Sequence, residues 1–385
     1  MKKILIFTAK WPFSNREIDG GSMTVAQYVD ILSKDAIVDY LYLEKDSSEE
    51  RINVPNIHRV EVVDGGYQRY STYGGEDKFL SRLQNIDYNN RLIQDRIGEY
   101  DYVLIVHVLQ AMGLEEKLTE NELKKIVVLP MFLVSDYEMS GESVPSEYRK
   151  REKSVLQKVG RIITPSTIER DYMVSEYNVD RSKISVIPRA ISECFIGRRD
   201  RKIIDETIDI CYVGSFKRQK NNVGALKVLE QLQVLGIPAI LHIVGMVQDS
   251  GIYADFMTYA REHDLTEHLK IYDLMPQEEL SKLYDRMDFS ISVSHYETFG
   301  RGIFEGLYCG LPTIALDRLS EVKRLSAGND GIIFVKNEEN IADKIVEIIR
   351  NGEYSKLSSK AYELGHKFSY ARQEEAVRRI FLGDE

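Results

Sequence analysis

Cysteine is scarce. The 385 residues hold only Cys194, Cys211 and Cys309, far apart and never as Cys-x-x-Cys. That spacing disfavours a disulfide framework or a structural zinc site, and a reducing compartment fits. Excess positive charge is also missing: 51 basic residues face 61 acidic ones, a net −10. A general nucleic-acid binder is therefore disfavoured. No Gly-x-Gly-x-x-Gly follows the first apolar run and no Gly-x4-Gly-Lys-Ser/Thr occurs, which disfavours a dinucleotide dehydrogenase and a P-loop kinase. Long apolar runs are lacking too. The stretch 126–134 reaches about half of the ~20 residues a spanning helix needs. The opening MKKILIFTAKWPF mimics a signal peptide for a few residues, but its apolar run stops at Lys10 with no small-residue cleavage site. It reads as the first buried strand of a cytoplasmic protein.

What is present is an ordinary globular mix, 43% hydrophobic and 29% charged. At roughly 100–200 residues per domain, two domains are expected. Short apolar runs alternate with stretches of helical spacing. Strands are expected at 3–8, 38–43, 60–63, 102–108, 126–129, 161–164 and 184–187, with helices at 24–33 and 87–100. The pattern restarts with strands at 208–213, 239–244, 269–272, 289–293, 312–316 and 331–335, separated by helices. Alternation of this kind predicts an α/β fold of parallel strands joined by crossover helices. Residues 191–207 are polar and charge-dense, with Arg198, Arg199, Arg201 and Lys202 together, and read as a linker. The expected organisation is a domain over 1–190, the linker, a second domain over 208–367 and a terminal helix over 368–385. Ligands in such sheets bind beyond the carboxyl ends of the strands.

The densest chemical signal is HYETFGRGIFEGLYCGLPTIA at 295–315. Glu297 follows a strand and Glu305 lies in the next helix, with seven residues between them. Thr298-Phe299-Gly300 form the turn at that helix's N-terminus, where free N–H groups and the helix dipole favour an anionic group such as a diphosphate. Gly300 and Gly302 permit close backbone approach. A carboxylate can accept hydrogen bonds from vicinal hydroxyls of a sugar or ribose.

This stretch resembles the Glu-x7-Glu signature of retaining GT-B glycosyltransferases of family four, the glycosyl transferases group one; Arg301 stands where that pattern usually has an aliphatic residue. ICYVGSFKRQKNN, from Ile210, is similar to the family's strand, glycine and lysine element, with Gly214 ending the strand and Lys220 six residues on. Ser215 stands where an arginine is usual, and Arg218 is the candidate to supply that cation. LHIVGMVQDS matches the next strand with its Gly245, and Tyr272 to Met275, including Leu274, match the turn beside the nucleotide base. In the first half, Gly20-Gly21 resemble a Gly-Gly loop after the first strand, before a helix that Ser22 or Thr24 could cap. DYVLIVHVLQAMGL places His107 at a strand's end, near donor sugar and acceptor in the family.

The resemblance implies two Rossmann-like domains facing across a cleft, with a terminal helix crossing back to the first. It implies a retaining, metal-independent hexosyltransferase using a nucleotide diphosphate sugar such as a UDP-sugar, with no cofactor. A glycan, lipid-linked or protein hydroxyl is the acceptor, in bacterial surface glycan or glycoconjugate synthesis. By it, Glu297 orients the donor sugar and Glu305 holds the ribose. Lys220 and Arg218 bind the diphosphate with the backbone at Phe299, Gly300 and Gly21, and His107 sits by the reacting carbon. No Asp-x-Asp, the metal-chelating motif of the other glycosyltransferase fold, occurs. Alternatives are a catalytically silent nucleotide-sugar-binding subunit, a sugar-phosphate-using synthase or an epimerase.

Two features stand outside that resemblance. Tyr67, Tyr70, Tyr73 and Phe79 form an aromatic stretch suited to sugars, to a membrane interface or to local packing. Residues 149–161 carry six cations on a helical stretch, a candidate for peripheral contact with the inner face of a membrane. Glu147 and Glu152 interleave with them, as on a solvated face.

Overall fold

A computed structural model of the chain describes residues 1–9, 20–43, 56–63, 77–139, 141–203 and 206–383. It divides into two compact units, residues 1–188 with 373–385, and residues 189–372.

The first unit is built on a seven-stranded sheet: β1 (Lys3–Thr8), β2 (Ile37–Tyr42), β3 (Ile57–Val62), β4 (Tyr102–Val106), β5 (Ile126–Leu129), β6 (Arg161–Thr164) and β7 (Ile184–Val186). Their order is β3-β2-β1-β4-β5-β6-β7 and every pairing is parallel. The second unit has β8 (Ile208–Val213), β9 (Ala239–Val244), β10 (Leu269–Tyr272), β11 (Phe289–Ser292), β12 (Thr313–Leu316) and β13 (Ile332–Val335), in the order β10-β9-β8-β11-β12-β13, again parallel. Each unit is Rossmann-like, as expected. In each sheet the winding reverses once, between β1 and β4 and between β8 and β11. Those are the points where such sheets bind ligands.

Parallel strands covered on both faces explain the near-continuous apolar runs. In β8, Ile208, Ile210 and Tyr212 pack into one core cluster, while Cys211 joins Val244, Phe304 and Ala315 in a second on the opposite face. All three cysteines are free thiols.

Several local expectations shift. β4 ends at Val106, not 108, because His107 takes a positive φ of 76° and opens a 3-10 turn. The helix expected over 87–100 ends at Gln94, and a separate 3-10 turn covers Ile97–Glu99. Gly20 and Gly21 are the first described residues of the helix Gly20–Ser33 rather than a loop before it, so Ser22 and Thr24 lie inside the helix. The rest of that expected loop, residues 15–19, and Tyr67, Tyr70 and Tyr73 lie outside the described residues.

The stretch read as a linker is packed onto the second unit. The Ile196 N–H donates to Ser281 Oγ (3.0 Å), and Arg198 pairs with Asp285 (2.7 Å). The Arg201 guanidinium donates to the carbonyls of Tyr284, Asp285 and Met287 (3.2, 2.8 and 2.7 Å). Arg201 thus closes the end of the helix Gln277–Arg286, while Arg198 and Arg199 stay exposed. At the other end of the chain, the helix Tyr370–Phe381 sets Phe381 edge-on to Tyr102 (5.5 Å) and Glu374 against Lys34 (3.0 Å), both within the first unit.

The basic helix is Ser146–Lys158. Arg151 pairs with Glu147 (2.9 Å), Arg149 with Tyr172 and Glu138, and Lys153 with the Glu176 carbonyl. Glu152 is not on a solvated face: it is fully buried. Among the described residues no helix is long and apolar enough to cross a membrane.

Candidate functional site

In the second unit the polypeptide leaves β8 through Gly214 and turns through the 3-10 helix Arg218–Lys220 into the helix Asn222–Val234. A Cβ on Gly214 would lie 3.2 Å from Lys220 Cδ, so the bare glycine leaves room for that side chain to fold back over the strand end. A Cβ on Gly245, at the end of β9, would lie 2.5 Å from the Gly214 carbonyl oxygen; only glycine lets the two loops stack. The Gly214 N–H donates to Val244 O (2.9 Å) and the Gly245 N–H to Tyr272 O (3.1 Å), tying the ends of β8, β9 and β10 together.

After β11 the chain runs through Ser294 and Glu297 to Gly300, which begins the helix Arg301–Tyr308 in the left-handed conformation (φ 85°). Phe299 is buried against Phe304 (4.8 Å) and Phe368 (5.7 Å), so its ring anchors this turn and only its backbone can face a ligand. Gly302 sits over β8, where a Cβ would lie 3.0 Å from Val213 Cβ. The helix thus starts against the strand end that carries Lys220, with the Ile303 and Phe304 N–H groups taken by the Gly300 carbonyl (2.9 and 3.2 Å).

These two loops bring the chemistry together. Lys220 Nζ lies 2.5 Å from Glu297 Oε1, which also accepts a hydrogen bond from Ser294 Oγ (2.8 Å). The pair is largely buried, with 17% of the lysine and 9% of the glutamate side chain exposed. The Tyr212 hydroxyl donates to the Lys220 carbonyl.

A second layer stitches the loops to each other. Gln219 donates to Tyr296 O (3.0 Å) and its carbonyl accepts from the His295 N–H (2.8 Å). Asn221, at φ 50°, donates to Val293 O (3.1 Å) and Glu338 Oε1 (3.0 Å). Arg318 donates to Ser294 O (3.1 Å) and Val293 O (2.9 Å) and reaches Glu338 (3.4 Å). Sequence reasoning missed Ser294, Asn221, Arg318 and Glu338. Only Asn221, a turn-favouring residue just before a helix, carried a local signal. Arg318→Ala should lower turnover roughly tenfold, the equivalent of ~1.4 kcal/mol, because it releases two carbonyls beside Glu297. Steady-state rates with an Arg318→Lys comparison check this.

The remaining sequence candidates fall into different settings. Arg218 is exposed and Thr298 half-buried. The Leu274 N–H is taken by Asp273 Oδ1 (2.8 Å), so of its backbone groups the carbonyl is left to face a ligand. Glu305 is 3% exposed, and burial pushes its carboxyl up to about 7, against the pull of Arg301 and the Tyr284 hydroxyl. Arg301 is drawn down to about 10 by burial, with Glu305 acting in the opposite direction, and donates to Ala190 O (3.2 Å). Glu305 therefore belongs to an interior cluster with Arg301 and Tyr284, not to the Lys220–Glu297 pair.

His107, in the first unit, follows β4, its Nδ1 accepting from the Leu109 N–H (3.2 Å). That leaves the proton of the neutral ring on Nε2. Burial, then Arg82, push its pKa down to about 3. It is a neutral N–H donor near pH 7, not a general acid. Its positive φ is the kind of backbone strain found at functional sites.

Residues 197–364 match the family model described as "Glycosyl transferases group 1". A D-inositol 3-phosphate glycosyltransferase from Stackebrandtia nassauensis is 24% identical over 234 residues, 55% of this chain. The chain spans about half the length of that relative, 52%, and 39% of an uncharacterized glycosyltransferase from Methanocaldococcus jannaschii. Among solved structures, sucrose-phosphate synthase from Thermosynechococcus elongatus superposes with a TM-score of 0.78 at 16% identity, covering 100% of both chains. HepE from Anabaena, in complex with UDP and glucose, gives 0.69 at 12% identity, also over 100% of both. Residues 197–364 are thus similar to the glycosyl transferases group 1, and the two parallel-sheet units have the GT-B fold.

Proposed function

We propose that this chain is a retaining glycosyltransferase that moves a hexosyl unit from a nucleotide diphosphate sugar to a hydroxyl acceptor, in bacterial surface glycan or glycoconjugate synthesis. The observation that carries the reading is the Lys220–Glu297 pair. A cation suited to phosphate and a carboxylate suited to sugar hydroxyls meet at 2.5 Å where the sheet reverses its winding, beside a helix N-terminus. The family match and HepE, solved with UDP and glucose, support a UDP-sugar as donor.

In this reading Lys220 and the N–H groups at Gly300 to Gly302 stabilise the departing diphosphate, electrostatic work done where charge develops. Glu297 holds hydroxyls of the donor sugar. Glu305, protonated in part near pH 7, is assigned to the ribose hydroxyls. His107, in the first unit, offers its Nε2–H to a sugar hydroxyl. No residue is assigned as a covalent nucleophile. The protein's own cations neutralise the leaving group, so no metal or cofactor is required.

A thermal-shift panel of UDP-, GDP-, ADP- and dTDP-sugars tests the donor. A true donor at 100 times its Kd should stabilise the chain by ~2.7 kcal/mol. Donor turnover should persist in EDTA, and the product should keep the donor's anomeric configuration by NMR. Binding without hydrolysis or transfer would favour a silent nucleotide-sugar-binding subunit. No shift with any of the four would remove the reading.

A further inference from the structure

The loop after β8 carries three cations in four residues, Lys217, Arg218 and Lys220. Their settings differ. Lys220 is paired with Glu297. Arg218 is exposed to solvent. Lys217 is half-buried, and among the described residues no carboxylate pairs with it.

The backbone decides which way Lys217 faces. Burial alternates from residue 213 to 217: Val213, Ser215 and Lys217 are half-buried, Gly214 and Phe216 buried. Phe216 bridges to Val247 in parallel fashion, and its ring is packed in the core against Tyr253 (4.9 Å) and Phe256 (5.1 Å). Lys217 is itself extended (φ −155°, ψ 157°). Successive side chains of an extended segment point to opposite sides. Lys217 therefore stands on the side of Val213, and Val213 is the residue on which the first turn of the helix Arg301–Tyr308 rests. The Lys217 carbonyl accepts the Lys220 N–H (2.9 Å), so the two lysines mark the two ends of one tight turn.

We propose that Lys217, not Arg218, is the second cation for the donor diphosphate, closing on it together with Lys220. The reasoning rests on the nucleotide-sugar function above and adds a residue to it. Burial and then the neighbouring Lys220 ammonium weaken Lys217's hold on its proton, while Glu297 acts the other way. A half-buried cation beside another cation is costly even with Glu297 near, and a phosphate bound by both would relieve that repulsion. Arg218, already solvated and out of that arrangement, gains little from the same ligand.

Calorimetric titration of the full chain tests this, using whichever of UDP, GDP, ADP and dTDP binds wild type most tightly. Lys217→Ala should weaken binding at least tenfold, with a melting midpoint of the free protein equal to or above that of wild type. Lys217→Arg and Arg218→Ala should each stay within threefold, and Lys220→Ala serves as the impaired reference. If Lys217→Ala does not fold, Lys217→Met keeps the stem length and takes its place. Binding by the Lys217 variant within threefold of wild type, while Lys220→Ala is impaired, would overturn the assignment and leave the function standing. A wild-type chain that binds none of the four diphosphates would take down both.

Discussion

Glu297→Gln is expected to abolish sugar transfer while leaving diphosphate binding intact or tighter. The carboxylate oxygen Oε1 takes both Lys220 Nζ (2.5 Å) and Ser294 Oγ (2.8 Å), so it competes with any phosphate oxygen for Lys220. A neutral amide keeps the shape and removes the competitor for the ammonium. If Glu297 orients the reacting sugar as proposed, its loss should cost about 10²–10³ in turnover, the scale seen when one transition-state hydrogen-bonding group is deleted. The same change leaves Lys220 partly buried without its counter-charge. Breaking such a pair costs about 3–5 kcal/mol when the pair is fully buried and less here. The variant should therefore melt below wild type when free and regain more stability than wild type from a saturating nucleoside diphosphate. Donor-hydrolysis rates and melting midpoints with and without UDP read both effects. Wild-type turnover would remove Glu297 from the site.

The second large effect concerns stability against pH. Glu152 is fully buried, and burial pushes its carboxyl from 4.5 up to about 8. Its Oε1 accepts from the Val134 N–H (3.0 Å) and the Tyr177 hydroxyl (2.7 Å), which pull the other way without prevailing. The folded chain holds this proton up to about pH 8, whereas the unfolded chain releases it near 4.5. Between those values the unfolded state binds fewer protons, so stability falls as pH rises, by ~1.4 kcal/mol per unit at most, and levels off above about 8. Over that window the loss amounts to roughly 5 kcal/mol. Glu152→Gln keeps an oxygen for Val134 and Tyr177 and carries no proton to lose. It should be more stable than wild type at pH 9 and no better at pH 4.5. Denaturant midpoints at pH 4.5, 7 and 9 check this; parallel curves for the two proteins would refute it. Glu305, raised to about 7, leaves a shallower slope of the same sign in the variant.

Much of the fold could be read in advance because its signals are local. The strands Lys3–Thr8, Ile126–Leu129, Arg161–Thr164, Ile208–Val213, Ala239–Val244 and Leu269–Tyr272 fall where the apolar runs stand. Errors collected where a backbone leaves its regular conformation. His107 ends β4 early through a positive φ that no propensity favours, and Gly20-Gly21 begin a helix despite their poor helix propensity. The Glu-x7-Glu spacing marked Glu297 and Glu305 together, yet they have different surroundings. One pairs with a lysine across two loops, and the other is held in the interior beside Arg301.

The order of strands and helices, the family resemblance of residues 197–364 and the two loops that carry the charged groups were determined by the sequence alone. Each depends on residues adjacent in the chain or repeating at the period of a helix or strand. Tertiary structure alone decided which partner each charge meets. Lys220 and Glu297 are 77 positions apart, and Arg318 and Asn221 reach Val293 across 25 and 72. Glu152 sits among cations in the sequence and is sealed in the core by the packing of its helix. Proximity and burial follow from how sheets and helices stack, which no local pattern encodes, and they set the charge each group carries.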